Sequence, residues 1–164
     1  MMVTFVRGLF KNISGSLDFD EKDPAKVSFS TEIEAATLWT GVQERDDHLR
    51  SADFLDVAHH PLISFRSSAV DVLGEFEYVV HGDLTLRGTT RDVPLQVTYL
   101  GQWDTPWWED GVDKGPKRRA GFTAKTTIDR YDFGVSWNDN VGSGGVVVCP
   151  LIDLTIDAEA VRQD

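Results

Sequence analysis

The sequence predicts an all-β domain, a sandwich or an antiparallel barrel, on three observations. Apolar and polar residues alternate with period two over most of the chain, so each run can bury one face. Gly, Pro, Asn and Asp punctuate those runs at regular spacing. One segment alone, 37 to 60, suits helix better than strand. At 164 residues the chain has the size of one domain, 1 to 164, able to bury a single sizeable core.

The elements follow in order. Ile13, Gly15, Leu17 and Phe19 share one face of a first strand. Val27, Phe29, Ile33 and Ala35 share a face of the second, with Ser28, Ser30, Glu32 and Glu34 opposite. Residues 37 to 60 carry Leu38, Trp39, Val42, Leu49, Phe54, Leu55 and Val57 among many charges, the composition of short helices or ordered turns. Alternation resumes at Ile63 and Phe65, and continues through Tyr78, Val80, Leu84 and Leu86, then Val93, Leu95, Val97 and Tyr99. Gly101 to Ala120 holds Trp103, Trp107 and Trp108 with Pro106, Gly111, Gly115 and Pro116, and is expected to form a long hairpin loop. Phe122, Ala124 and Ile128, then Ile152, Leu154 and Ile156, mark the last strands.

Composition excludes several classes of function. Sixteen Lys and Arg against 27 Asp and Glu give a net charge of −11, which repels phosphate backbones, so no nucleic-acid partner is expected. No apolar run approaches the ~20 residues of a membrane-spanning helix. The single cysteine, Cys149, cannot form an internal disulfide. The start MMVTFVRGLF lacks the features of a secretory signal, so the expected location is the cytoplasm, or the periplasm or exterior if a signal peptide lies upstream.

Candidate chemistry is sparse. His48, His59, His60 and His81 with Asp46, Asp47, Asp53 and Asp56 do not follow the spacing of a zinc motif, and a structural role is favoured. Cys149 reads as a small inert hydrophobe and Ser143, in GSGG, as part of a hairpin turn. No catalytic residue, metal ligand or cofactor site is assigned. Lys117, Arg118 and Arg119 form the only basic run; they suit either a ligand phosphate or a solvated hairpin, and the latter is favoured. Periodicity does not distinguish a filled barrel from a hollow one.

Four stretches, VTFVRGLFKNISGSLDF, RDDHLRSADFLDVAHHPLISF, GDLTLRGTTRDVPLQV and TTIDRYDFGVSW, together resemble the YceI-like family, also called polyisoprenoid-binding proteins, over about residues 3 to 160. The resemblance implies a lipocalin-like antiparallel β-barrel with a short helical segment at 37 to 60 and an elongated apolar cavity. It implies a non-enzymatic carrier of a long-chain isoprenoid or fatty-acid-like ligand. Strand phase then nominates Phe29, Ile33, Phe65, Leu84, Leu86, Leu95, Val97, Phe122, Ile128, Leu154 and Ile156 for the wall, and Trp107 and Trp108 for a mouth or lid. Within the matching motifs Asp46 and His48 are expected to tie a turn together, and Arg130 to pair with Asp132 or brace the turn after it. The alternatives are a packed barrel serving as an interaction or stress-protection module and, more remotely, a metal-dependent enzyme.

Two departures from the family matter. The strand that usually precedes VTFVRG has no counterpart, so the barrel either lies open, or begins upstream, or is covered by a second chain. Val3 to Leu9 is expected to pair with the strand Ile13 to Phe19, leaving an edge that a homodimer covers. The other departure is the tryptophan-rich loop.

Overall fold

A computed structural model describes residues 5–20, 23, 26–141 and 145–163. Seven strands form one curled antiparallel sheet: β1 (Ile13–Asp18), β2 (Ser28–Glu34), β3 (Leu62–Val72), β4 (Glu77–Leu86), β5 (Thr89–Glu109), β6 (Val112–Asp129) and, after a two-stranded ribbon of β7 (Asn140–Val141) and β8 (Gly145–Val146), β9 (Leu151–Val161). Their order across the sheet is β1-β2-β3-β4-β5-β6-β9. Short turns join β3 to β4, β4 to β5 and β5 to β6, whereas longer connections carry the chain from β2 to β3 and from β6 to β9. The β4–β5 turn, Arg87–Gly88, has φ of 50° and 72°, the two positive values of a type I′ hairpin.

The region between β2 and β3 is helical only in part. Ala35–Thr37 is a 3₁₀ turn and Gln43–Arg50 forms α1, after which the chain turns back to Leu62. Asp46 is 2% exposed and accepts from Thr40 N at 2.9 Å and Thr40 Oγ1 at 2.5 Å, so it ties the entry to α1 as the motif suggested. His48 accepts or donates a hydrogen bond at 3.0 Å with Asp53 and stands edge-on to Phe54 and Trp137.

Two expectations are corrected. Gly101 to Ala120 is not a loop but the outer half of the β5–β6 hairpin, paired from Gln102↔Ala120 to Glu109↔Val112. The local signal is the dipeptide Asp110–Gly111, with φ of 50° and 77°, which makes the two-residue turn. Pro106 and Pro116 face each other, and irregularities at Tyr99/Gly101 and Pro106/Trp108 absorb the residues that do not fit the ladder. Nor does the segment before β1 pair with it. Val3 lies outside the described residues, and Leu9 exchanges two backbone hydrogen bonds with Trp39, each 2.9 Å. Gly8 makes that approach possible, since a Cβ there would stand 3.2 Å from the Trp39 carbonyl oxygen. Ser143 also lies outside the described residues.

The sheet's two edges are therefore β1 and β9, and among the described residues no ladder joins them. With seven antiparallel strands, β1 and β9 run in the same direction. Direct closure would need a parallel pair.

Candidate functional site

One face of the sheet carries all the buried apolar side chains of its central strands. In an antiparallel pair, residues opposite each other share a face. The register Ile33↔Ile63, Thr31↔Phe65, Phe65↔Leu84 and Val80↔Leu95 fixes that face across β2 to β5. Val97↔Ala124, Tyr99↔Phe122, Ala124↔Ile156 and Ile128↔Ile152 carry it to β9. Phe29, Ile33, Phe65, Leu84, Leu86, Leu95, Val97, Phe122, Ile128, Leu154 and Ile156 all fall in this phase, on the concave side.

Burial on this face is graded. Phe65, Leu84, Leu86, Leu95, Val97 and Ile128 are buried at its centre, where both neighbouring strands flank them. Phe29, Ile33, Phe122 and Leu154 are half-buried and packed against that core. At the edges the same phase is open to solvent: Ile13 is 58%, Ile152 36% and Ile156 39% exposed. Rings line the interior, with Phe29 stacked on Phe65 at 5.2 Å, and Phe19, Tyr99 and Phe122 in mutual contact at 5.0 to 5.5 Å.

One end of the concave face is covered. Arg87 donates to the carbonyls of Gly134 and, at 2.7 Å, of Ala52, pinning the 51–60 turns and the Arg130–Phe133 3₁₀ turn over the β4–β5 end. Phe133 is 2% exposed and belongs to the core. Arg130, 3% exposed, braces this cap: it donates to the carbonyls of Val135 at 2.7 Å, Trp137 at 2.8 Å, Cys149 at 3.1 Å and Val148 at 3.2 Å. Of the two roles expected for Arg130, it takes the bracing one.

The other end runs out along the β5–β6 hairpin. There the basic run divides by strand phase. Arg118 shares the concave phase with Ala120 and Phe122 and pairs with Asp104 at 2.8 Å, whereas Lys117 and Arg119 lie on the opposite face. Trp107 sits beneath those two cations, 5.4 Å from Lys117 Nζ and 5.2 Å from Arg119, which also pairs with Glu159 at 2.8 Å. The structure thus places Trp107 against the convex side and Trp108, 62% exposed, near the hairpin tip. Neither reaches the ring cluster of Phe19, Tyr99 and Phe122.

The remaining polar candidates stay apart. His59 bonds Asp56 at 2.9 Å, His81 bonds Asp71 at 3.0 Å, and His60 lies against Gly88. The hydrogen bond from His59 holds the Asp56 carboxyl below its usual value of 3.8, against a weaker opposing effect of burial. Among the described residues no three His, Cys, Asp or Glu side chains gather as metal ligands. Two surface recesses of about 390 and 290 Å³ lie beside β1 and β2, lined mainly by polar groups such as Asn12, Ser14, Glu32 and Ser64. They are open and polar, and the apolar concave face is the more selective surface for a ligand.

The nominated wall omitted Phe19 and Tyr99, although alternation had placed both in phase, and alternation was not carried as far as the rim arginine Arg162. Counting back by twos from Phe122, or forward from Ile156, would have reached Arg118 and Arg162.

Comparison with known proteins bears on this fold. The family model for the YceI-like domain matches residues 1–160. A UPF0312 protein of Pseudomonas putida strain W619 is 37% identical over 160 residues, covering 98% of this chain and 76% of that protein. A UPF0312 protein of Pseudomonas syringae pv. syringae is 36% identical with the same coverage. In structure, the Campylobacter jejuni YceI protein superposes with a TM-score of 0.80 at 24% identity, covering 100% of this chain and 89% of that one. Burkholderia cenocepacia BcnA gives 0.78 at 24% identity, over 97% and 90%. These structural likenesses establish the fold.

Proposed function

The chain belongs to the YceI-like family, and on that premise we propose that its concave face binds the tail of a long-chain isoprenoid or related amphiphilic lipid, sequestering or carrying it without catalysis. The carrying observation is the graded apolar face: buried at the centre, yet with Ile13, Ile152 and Ile156 more than a third exposed along the seam between β1 and β9. A tail lying along that seam removes these side chains from water. Each CH₂ so buried contributes roughly 0.8 kcal/mol, about 4 kcal/mol gross for a five-carbon unit. Ordering costs offset several kcal/mol of this, so a ligand of more than about ten carbons is needed for useful affinity.

The test is native mass spectrometry of the protein purified from its own host, followed by organic extraction. A co-purifying lipid, and loss of its uptake in Phe122→Asp and Ile156→Asp proteins with unchanged circular dichroism, is the expected result. An interior that excludes every tail offered would overturn the reading. It would favour the alternative of an interaction or stress-protection module, to which the close packing of Phe19, Tyr99 and Phe122 lends support.

A further inference from the structure

The concave face is apolar over most of its length and ends on positive charge at the rim away from the 51–60 turns. We propose that Arg118 and Arg162 bind the anionic head, phosphate or carboxylate, of the amphiphile whose tail lies on the concave face; this rests on the lipid-binding reading above.

Strand register carries the argument. From Phe122, two steps of alternation along β6 reach Ala120 and then Arg118; from Ala158 on β9 they reach Ala160 and then Arg162. The ladder runs to Arg119↔Val161, and Arg162 N donates to the Arg118 carbonyl at 2.9 Å, so the two arginines are cross-strand neighbours on one face. Like charges directly opposite each other on a sheet are unfavourable. Among the described residues only one is neutralised, by the Arg118–Asp104 pair. The Arg162 guanidinium makes no hydrogen bond or ion pair to the described residues.

The surroundings sharpen the contrast. The protein carries a net charge of −11, yet among the described residues this rim holds two guanidinium groups against one carboxylate. Guanidinium forks match the oxygens of phosphate and carboxylate, and a half-exposed rim preserves more of that attraction than open water does. From Arg118 to Ile128 the face extends ten residues along β6, ~33 Å of strand at ~3.3 Å per residue, a length suited to an extended tail. Of the other charged groups in this phase, Asp104 already pairs with Arg118, and Arg91, opposite Leu84, stands at the end covered by the 51–60 turns.

Four probes separate head from tail: farnesyl diphosphate against farnesol, and palmitate against hexadecanol, each titrated by calorimetry below its aggregation concentration. The anionic member of at least one pair should bind about tenfold tighter than its alcohol, a difference of about 1.4 kcal/mol. A preference confined to the diphosphate identifies a phosphate head, one confined to palmitate a carboxylate head, and either supports the site. Arg162→Gln should erase the preference, Asp104→Asn should enlarge it, and Arg91→Gln should leave it intact. Equal affinity for charged and neutral heads, or a preference that survives Arg162→Gln, overturns the head-group site while leaving tail binding standing. Failure of all four probes to bind overturns the tail-binding reading itself, and the rim site falls with it.

Discussion

Arg130 shows how one side chain can hold an irregular segment in place. Its buried guanidinium supplies donors to four carbonyls spread over residues 135 to 149, none of which belongs to the main sheet, and stacks over Tyr131 at 4.6 Å. Removing it orphans acceptors that water does not easily reach, each costing about 1–3 kcal/mol. Arg130→Met is therefore expected to destabilise the fold by about 3 kcal/mol or more, read from the midpoint of urea unfolding at unchanged m-value. Asp56 offers a residue-scale test of pH. Because its folded carboxyl titrates below the usual value, its contribution is complete above about pH 4 and fades as pH falls further, through the folded pKa. His59→Ala removes the hydrogen bond that lowers it most, so the Asp56 carboxyl should titrate higher in an NMR pH series. Overall stability at neutral pH should move by less than about 0.5 kcal/mol, as His59 is solvent-facing.

At the scale of elements, the β3–β4 ladder contains a shift between Ser67 and Ala69, and Gly82 lies beside it under the Phe65 ring. A Cβ on Gly82 would strike that ring and stand 2.5 Å from the Arg66 carbonyl oxygen, which is backbone and cannot yield cheaply. Gly82→Ala should thus cost about 1–3 kcal/mol by overpacking, measurable as a lowered unfolding midpoint. On β9 the pairing geometry identifies which groups are free. Arg162 N–H points to β6, so by alternation the N–H groups of Thr155, Asp157 and Glu159 point outward from the sheet edge. A proline at one of those positions removes an edge donor without breaking the β6 ladder.

At the scale of the molecule, that edge is the natural place for a second chain. A homodimer covering it is our proposal, since an exposed edge flanked by partly exposed Ile152 and Ile156 invites pairing. Sedimentation at micromolar concentration should show a dimer, and Asp157→Pro should shift it to monomer with the circular dichroism preserved. A monomer for the unmutated chain would discard the idea. Direct self-pairing of β9 about Ile156 would set Asp153 against Glu159, so a dimer using this edge must offset the register or pair β9 with β1.

Much of this was legible in the sequence. Period-two alternation depends only on the pleat, so the strands around Ile33, Leu84, Leu95 and Ile128, and the face they share, followed from residue order alone. Four long motifs located the family. The tertiary structure decided what alternation does not encode. Turn residues read Gly101 to Ala120 as a loop, and only its cross-strand partners made it a hairpin, because backbone pairing is a property of two segments and not of one. The destination of Leu9 likewise depended on Trp39 and the space left by Gly8. The split of Lys117, Arg118 and Arg119 between two faces, and the meeting of Arg118 with Arg162, required β6 to be a strand and β9 to lie in register beside it. Local chemistry sets which face a side chain takes within a strand; long-range pairing sets which side chains meet there.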